Sequence, residues 1–254
     1  MACLANVTAE NDLPRIGCAG WTIPPQFAPR FGNTGTHLQK YAAQFSAVEI
    51  NSSFYRLHRT ETYVRWADSV PADFRFSVKI PKQITHELGL QKAKAATDEF
   101  LETVTGLGSK LAVLLVQLPP SLEFKARMAK AFFKHLCEQT ASQVVCEPRH
   151  ATWFSATAWK LLQANRVRLV HADPAVAGGP DVRANDVATS YYRLHGSPRV
   201  YYSRYDVEFL HSLVPKLTAR PNTWCIFDNT AHGWATQNAL ELQELVSNNA
   251  KSQG

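Results

Sequence analysis

The chain has 254 residues, 45% apolar and 19% charged, with 27 basic against 21 acidic side chains for a formal net charge of +6. That composition excludes intrinsic disorder, and no apolar stretch approaches the ~20 residues that span a bilayer. One domain with a sizeable core is expected, and a positive excess of this size is common for solubility alone.

The opening segment, 1–14, carries Glu10 and Asp12 and no long apolar stretch, so a flexible arm is expected there rather than a signal peptide. Eight short apolar runs follow, at 15–21, 47–51, 74–79, 111–117, 143–149, 167–173, 191–195 and 224–228, and most end in a charged or amide residue. Between them lie apolar stripes at helical spacing. Leu38, Tyr41, Ala42 and Phe45 form the first, and Tyr63, Trp66, Ala67 and Val70 the second. Thr60 and Ser155 are placed to cap helices through their hydroxyls. Phe100, Val104 and Leu107 continue the pattern, with Gly108 as a natural stop. Later stripes run through Met128, Phe132 and Leu136, through Leu210, Leu213, Val214 and Leu217, and through Ala235, Ala239, Leu242 and Val246. Pro215 should kink its helix or end it early.

The sixth unit departs from the repeat, because 174–190 contains Gly178, Gly179 and Pro180 and shows no apolar period. An irregular loop is predicted there in place of a helix. Eight strands alternating with helices predict an α/β fold, a single-domain (β/α)8 TIM barrel over 15–248, followed by a C-terminal tail at 249–254.

A strand period of two assigns the faces. Glu49 and Asn51 share one face of the second run, Ser77 and Lys79 of the third, Glu147 and Arg149 of the fifth, and Arg193 and His195 of the seventh. Apolar residues take the opposite faces, so these polar strand ends should line the barrel mouth, where this fold builds active sites. His171, Asp173 and Asp228 extend the set. Glu49, Glu147, Asp173 and Asp228 would then stand against Lys79, Arg149, Arg193 and His195. Such a ring can be a self-neutralising ion-pair network, or a site whose cations bind an anion while its carboxylates move protons. Its position at the strand ends favours the site. Lys79, Arg149 and Arg193 are the anion binders in this reading. Glu147 is the first candidate general base and Glu49 the second, with His195 as proton donor and Asp228 alongside, because nearby cations keep a carboxylate ionised.

Trp21, Tyr55, Trp153, Tyr201, Tyr202 and Tyr205 fall in flanking loops, where rings can stack on sugars or bases or simply pack. Trp21, Tyr55 and Tyr202 are taken as substrate-binding candidates. Arg199 follows the seventh strand, the usual phosphate side of a barrel, and can grip phosphate in bidentate fashion. Phosphate-loop, dinucleotide, zinc-protease and nucleophile-elbow motifs are all missing from the sequence. No cofactor is predicted. Glu49, Glu147, Asp173, His195 and Asp228 are the alternative ligands for a divalent metal, although three neighbouring cations oppose one. Five cysteines without a C-x-x-C pair suit a reducing cytoplasm.

An ordered series of segments also carries a family likeness. Gly17-Cys-Ala-Gly-Trp21, Val48-Glu-Ile-Asn-Ser-Ser-Phe-Tyr-Arg56, Phe76-Ser-Val-Lys79, Leu115-Val-Gln-Leu-Pro-Pro120, Glu147-Pro-Arg-His150, Tyr192-Arg-Leu-His-Gly196 and Phe227-Asp-Asn-Thr230 resemble the YecE-like family, the domain of unknown function numbered 72. The resemblance covers nearly the whole chain. It implies a TIM barrel and no established reaction. It also implies site positions at Glu49, Asn51, Lys79, Glu147, Arg149, Arg193, His195, Asp228 and Asn229. The general shape is similar to those of sugar isomerases and of endonucleases that cut at abasic sites, a likeness of fold alone.

The leading expectation is a cytoplasmic enzyme, a hydrolase, lyase or isomerase, acting by acid/base chemistry on a nucleotide, sugar phosphate or other anionic small molecule. The alternatives are a nucleic-acid-binding or repair-nuclease-like protein and a non-catalytic interaction scaffold. No membrane partner is expected.

Overall fold

The computed structural model describes residues 13–176 and 191–253. Its strands are β1 (Arg15–Cys18), β2 (Ala47–Ile50), β3 (Arg75–Lys79), β4 (Leu111–Gln117), β5 (Gln143–Glu147), β6 (Arg168–Leu169), β7 (His171–Asp173), β8 (Tyr191–Leu194) and β9 (Trp224–Phe227). The helices are α1 (His37–Ala42), α2 (Thr60–Asp68), α3 (Lys94–Val104), α4 (Ala126–Glu138), α5 (Ala156–Ala164), α6 (Val207–Thr218) and α7 (Trp234–Gln253). All described strand pairs are parallel, in the orders β2-β3-β4-β5-β6 and β1-β9-β8-β7. The sixth sequence run is split at Val170 into β6 and β7, and the Val170 N–H still bonds Cys146 O at 2.8 Å. At the other seam a single parallel bridge joins Ala19 to Glu49, and Gly20 N–H donates to Glu49 O at 2.8 Å. The strands follow the TIM-barrel plan predicted from the alternation.

The β1–β2 seam is narrow, and residues from both strands and from α1 account for it. A side chain on Gly17 would place Cβ 2.2 Å from Ala47 O, so only glycine lets the backbones approach this closely. Tyr41 of α1 then inserts its hydroxyl, accepting from Cys18 N–H at 2.8 Å and donating to Ala47 O at 3.1 Å. The hydroxyl thus supplies hydrogen bonds where the ladder is open.

Two apolar clusters separate the inside of the barrel from its jacket. Ala47, Val113, Leu115, Val145, Val170, Tyr191, Trp224 and Ile226 pack together inside. Val48, Phe76, Val144, Leu194 and Phe227 pack outward against the helical stripes. Along five of the strands the inward series passes from apolar to polar: Ala47 then Glu49, Leu115 then Gln117, Val145 then Glu147, Tyr191 then Arg193, Ile226 then Asp228. The period of two thus builds an oily floor under a charged ceiling.

Local expectations fared unevenly. Ser155 caps α5, accepting from Ala158 N–H. Thr60 is instead the first residue of α2, and Arg59 precedes it without a side-chain cap. Gly108 adopts φ +53° and breaks the helical path after α3, as its missing Cβ permits. Pro215 does not end α6, which continues to Thr218. Pro215 and His211 are exposed, so water can serve the carbonyl that the proline leaves without a donor. At the C-terminus α7 runs on to Gln253, replacing the expected tail over 249–253. The predicted arm up to residue 12 and the predicted loop over 177–190 lie outside the described residues.

Candidate active site

Arg193 of β8 stands at the centre of the ceiling, with none of its side chain exposed. Its Nε and Nη2 donate to Glu49 Oε2 and Oε1 at 3.0 and 2.7 Å. Nη1 donates to Glu147 Oε2 at 2.8 Å and Nη2 to Asp228 Oδ2 at 2.9 Å. Three carboxylates from β2, from β5 and from the end of β9 therefore cage one guanidinium. Burial lowers its pKa, but Glu49, Glu147 and Asp228 raise it more, and the net value lies well above the ordinary one. Glu49 also accepts from the Tyr191 hydroxyl at 2.8 Å, an oxygen equally close to Ser77 Oγ.

His195 follows directly after β8. Its Nε2 lies 3.0 Å from Glu147 Oε1. Its Nδ1 lies 3.1 Å from Asp228 Oδ2, within ion-pair reach but off the line of a hydrogen bond. Burial disfavours the imidazolium, yet Asp228 and Glu147 outweigh it, so the pKa rises. Burial likewise pushes the Glu147 carboxyl up, while Arg193, His195 and Arg149 pull it well below the usual range. Asp228 is lowered by the same balance, with Arg193, His195 and Lys79 overcoming burial. Arg149 pairs with Glu147 Oε1 and also reaches His195 Nε2 at 2.5 Å. The imidazole nitrogen can donate to Glu147 or accept from Arg149, and its proton decides which.

Exposure separates the edge of the cluster from its base. The side chains of Glu49 and Arg193 are 0% exposed, that of Asp228 7% and that of Arg149 19%. Lys79, at the end of β3, lies on the same inward face and is 7% exposed. Arg149, Asp228 and Lys79 therefore form the accessible edge of the cluster, and Glu49 with Arg193 its base.

The structure gathers Glu49, Glu147, Arg149, Arg193, His195 and Asp228 into one bonded network, with Lys79 in its field. Two expectations change. Arg193 spends four of its five N–H donors on carboxylates, and the fifth, on Nη1, faces His195 Nε2 at 3.4 Å, so it is not placed as a free anion binder. Asp173 turns away from the mouth: Ala172 packs inside the barrel, so its neighbour points outward and accepts from Tyr205 Oη at 2.7 Å. The donor set therefore does not suit a divalent metal, because a guanidinium fills the space the carboxylates share.

The other candidates lie around this core. Asn51 follows β2 with its Oδ1 buried and, among the described residues, without a partner. Asn229 is fully buried and holds Ser203 O and Asn238 Oδ1 at 2.9 and 3.0 Å, a brace between the β9 end and its surroundings. Trp21 packs edge-on against Trp66, and Tyr55 is 71% exposed with its ring against Phe54. Arg199 lies over the Tyr202 ring at 4.0 Å on the surface. Tyr201 meets the cluster at His195, its ring standing edge-on 5.9 Å away. Tyr191 and Gln117 join the site without being among the expected residues, although their parity with Arg193 and Leu115 places them on the inner face. Gln117 Nε2 donates to Glu147 Oε1 at 3.3 Å.

Known proteins agree with this architecture. The family model described as protein of unknown function DUF72 matches residues 15–253. UPF0759 protein YunF of Bacillus subtilis is 24% identical over 91% of this chain and 94% of its own. UPF0759 protein YecE of Escherichia coli is 34% identical over 41% of this chain, an alignment that spans only 37% of that protein. Crystal structures of DUF72 family proteins from Thermotoga maritima and Enterococcus faecalis superpose with TM-score 0.73 at 22% and 20% identity. They cover 92% of this chain each and 99% and 96% of their own chains. A xylose isomerase-like TIM barrel fused to a 4-hydroxyphenylpyruvate dioxygenase superposes with TM-score 0.55 at 12% identity, over 95% of this chain and 44% of the fusion. With a full-length family match over the same strands that carry the caged arginine, the chain belongs to the DUF72 family.

Proposed function

We propose that the chain is an enzyme that performs acid/base chemistry on an anionic small molecule, of the nucleotide or sugar phosphate class, at the C-terminal mouth of the barrel. The observation that carries this reading is His195 held between Glu147 and Asp228, directly above a caged arginine and beside the partly exposed Arg149. A network made only for stability has no need of a raised-pKa imidazole held against its accessible members, Arg149 and Asp228. His195 is the proton carrier, with Asp228 as its carboxylate partner on the open side. Glu147 is pinned by two arginines, so it orients His195 rather than acting as the free base. Glu49 and Arg193 hold the site in shape. Arg149 is the anion anchor.

The test is calorimetric binding of a panel of phosphorylated metabolites to the wild type and to Arg149→Ala. Loss of binding in the variant supports the assignment. Equal binding by both, or none by the wild type, overturns it.

One observation favours a second reading, contact with nucleic acid. A groove of about 650 Å³ beside the mouth is lined by Arg56, Arg59, Arg65, His58 and Trp66 among others. Three arginines with an aromatic ring suit a phosphate backbone. Affinity for single-stranded or abasic DNA should then fall steeply with salt. Salt-independent binding, or none, counts against it.

A further inference from the structure

Lys79 is the one cation of the cluster whose charge is left without a mate. Its Nζ sits 4.1 Å from the centre of the Phe54 ring, and among the described residues it makes neither a hydrogen bond nor an ion pair. The carboxylates nearby are spoken for: Glu49 by Arg193 and Tyr191, Glu147 by Arg193 and Arg149, and Asp228 by Arg193 and His195. The Lys79 carbonyl accepts from Ser53 Oγ at 2.6 Å, which fixes the backbone beneath the amine. A buried, unpaired ammonium is costly, and the cost falls when it gives up its proton.

We propose that Lys79 is a nucleophilic amine that condenses with the carbonyl group of an aldehyde or ketone substrate to form an imine at the barrel mouth. This rests on the acid/base reading above and narrows its substrate to a carbonyl compound bearing an anionic group. The neutral nitrogen attacks the carbonyl carbon, a C–N bond forms, and the π pair moves to oxygen. The two nitrogen protons leave with that oxygen as water, and the C–O bond breaks as C=N forms. Amine and carbonyl become imine and water, with no change of oxidation state. His195 is the group in the cluster fitted to carry the protons. An amine desolvated beside another cation is the arrangement that activates lysine in this way.

The surroundings of the amine agree. Burial and Arg193 pull its pKa down to about 8, against the opposite pull of Glu49, Asp228 and Glu147. His86 is the remaining titratable neighbour, itself lowered by burial and by Lys79. About a tenth of the amine is then neutral at pH 7, against roughly three in ten thousand for an ordinary lysine.

The experiment is reductive trapping on the whole protein, with sodium cyanoborohydride and either glycolaldehyde phosphate or neutral glycolaldehyde, read by peptide mapping. Lys79 is expected to be labelled at least about tenfold faster than the typical surface lysine, given its larger neutral fraction. Lys79→Arg should lose the fast-labelled site, and its thermal unfolding shows whether it is folded. Labelling of Lys79 no faster than that of surface lysines, with both probes, overturns the proposal even if Arg149-dependent phosphate binding stands. Equally fast labelling by the two probes supports the amine and overturns instead the anionic-substrate reading.

Discussion

Arg193 and Glu49 meet through two parallel hydrogen bonds, 3.0 Å from Nε and 2.7 Å from Nη2, with neither side chain exposed to solvent. A bidentate pair at zero exposure is the strongest form of this contact. It anchors a network that Glu147, Asp228, His195 and Arg149 complete.

Removing the central cation should be far worse than trimming its edge. Arg193→Met strands Glu49, Glu147 and Asp228 together, and a broken buried pair costs about 3–5 kcal/mol. Urea unfolding measures it. A loss below about 1 kcal/mol would show that the cage contributes little.

Acid should act through the carboxylates. Glu147 and Asp228 have folded pKa values below their unfolded ones, so their stabilisation is complete above the unfolded values and lost as pH falls through the folded ones. His195 has the opposite sign: its contribution is full below its unfolded value and fades as pH rises through the raised folded value. Unfolding free energy followed from acid to neutral pH should therefore drop on the acid side, and Glu147→Gln should shrink that drop. An unchanged acid limb in the variant contradicts the assignment.

Lys79 reverses the alkaline trend. Its folded value of about 8 lies below the ordinary 10.5, so the unfolded chain binds the extra proton and stability rises between those two values. Lys79→Met should remove that rise. A wild-type curve already flat over this window would mean that the amine titrates normally.

Gly17→Ala should break the narrow seam, because the new Cβ would lie 2.2 Å from Ala47 O and the backbone cannot yield cheaply. Overpacking of this kind costs about 1–3 kcal/mol or more, visible as a lower midpoint of thermal unfolding. An unchanged midpoint would show that β1 and β2 can part without cost.

Much of this is legible in the sequence. Strand parity alone put Glu49, Lys79, Glu147, Arg149, Arg193 and His195 on one face, because a floor of alternating apolar residues leaves no other choice. Parity failed at Asp173, where the run 167–173 mixes apolar and polar residues on both faces and breaks at Val170. It could not show that Arg193 would be consumed by three carboxylates, since caging depends on side chains up to 144 residues apart. The loop aromatics were harder still: nothing in Trp21, Tyr55 or Tyr202 distinguishes a ring that packs on a helix from one that faces the mouth, and Tyr201 was the ring that reached His195.

The Tyr41 hydroxyl between Cys18 and Ala47 has a consequence for how the barrel breathes. Because a side chain from α1 stands in for part of a ladder, any motion that lifts that helix also removes the link between Cys18 and Ala47 and loosens β1 against β2. The Cys18 amide then becomes a gauge of ring opening, since its proton is released to solvent only when α1 lifts. Glu49 begins its inward reach just beyond that hinge line, so the same fluctuation that frees the amide would loosen one wall of the arginine cage.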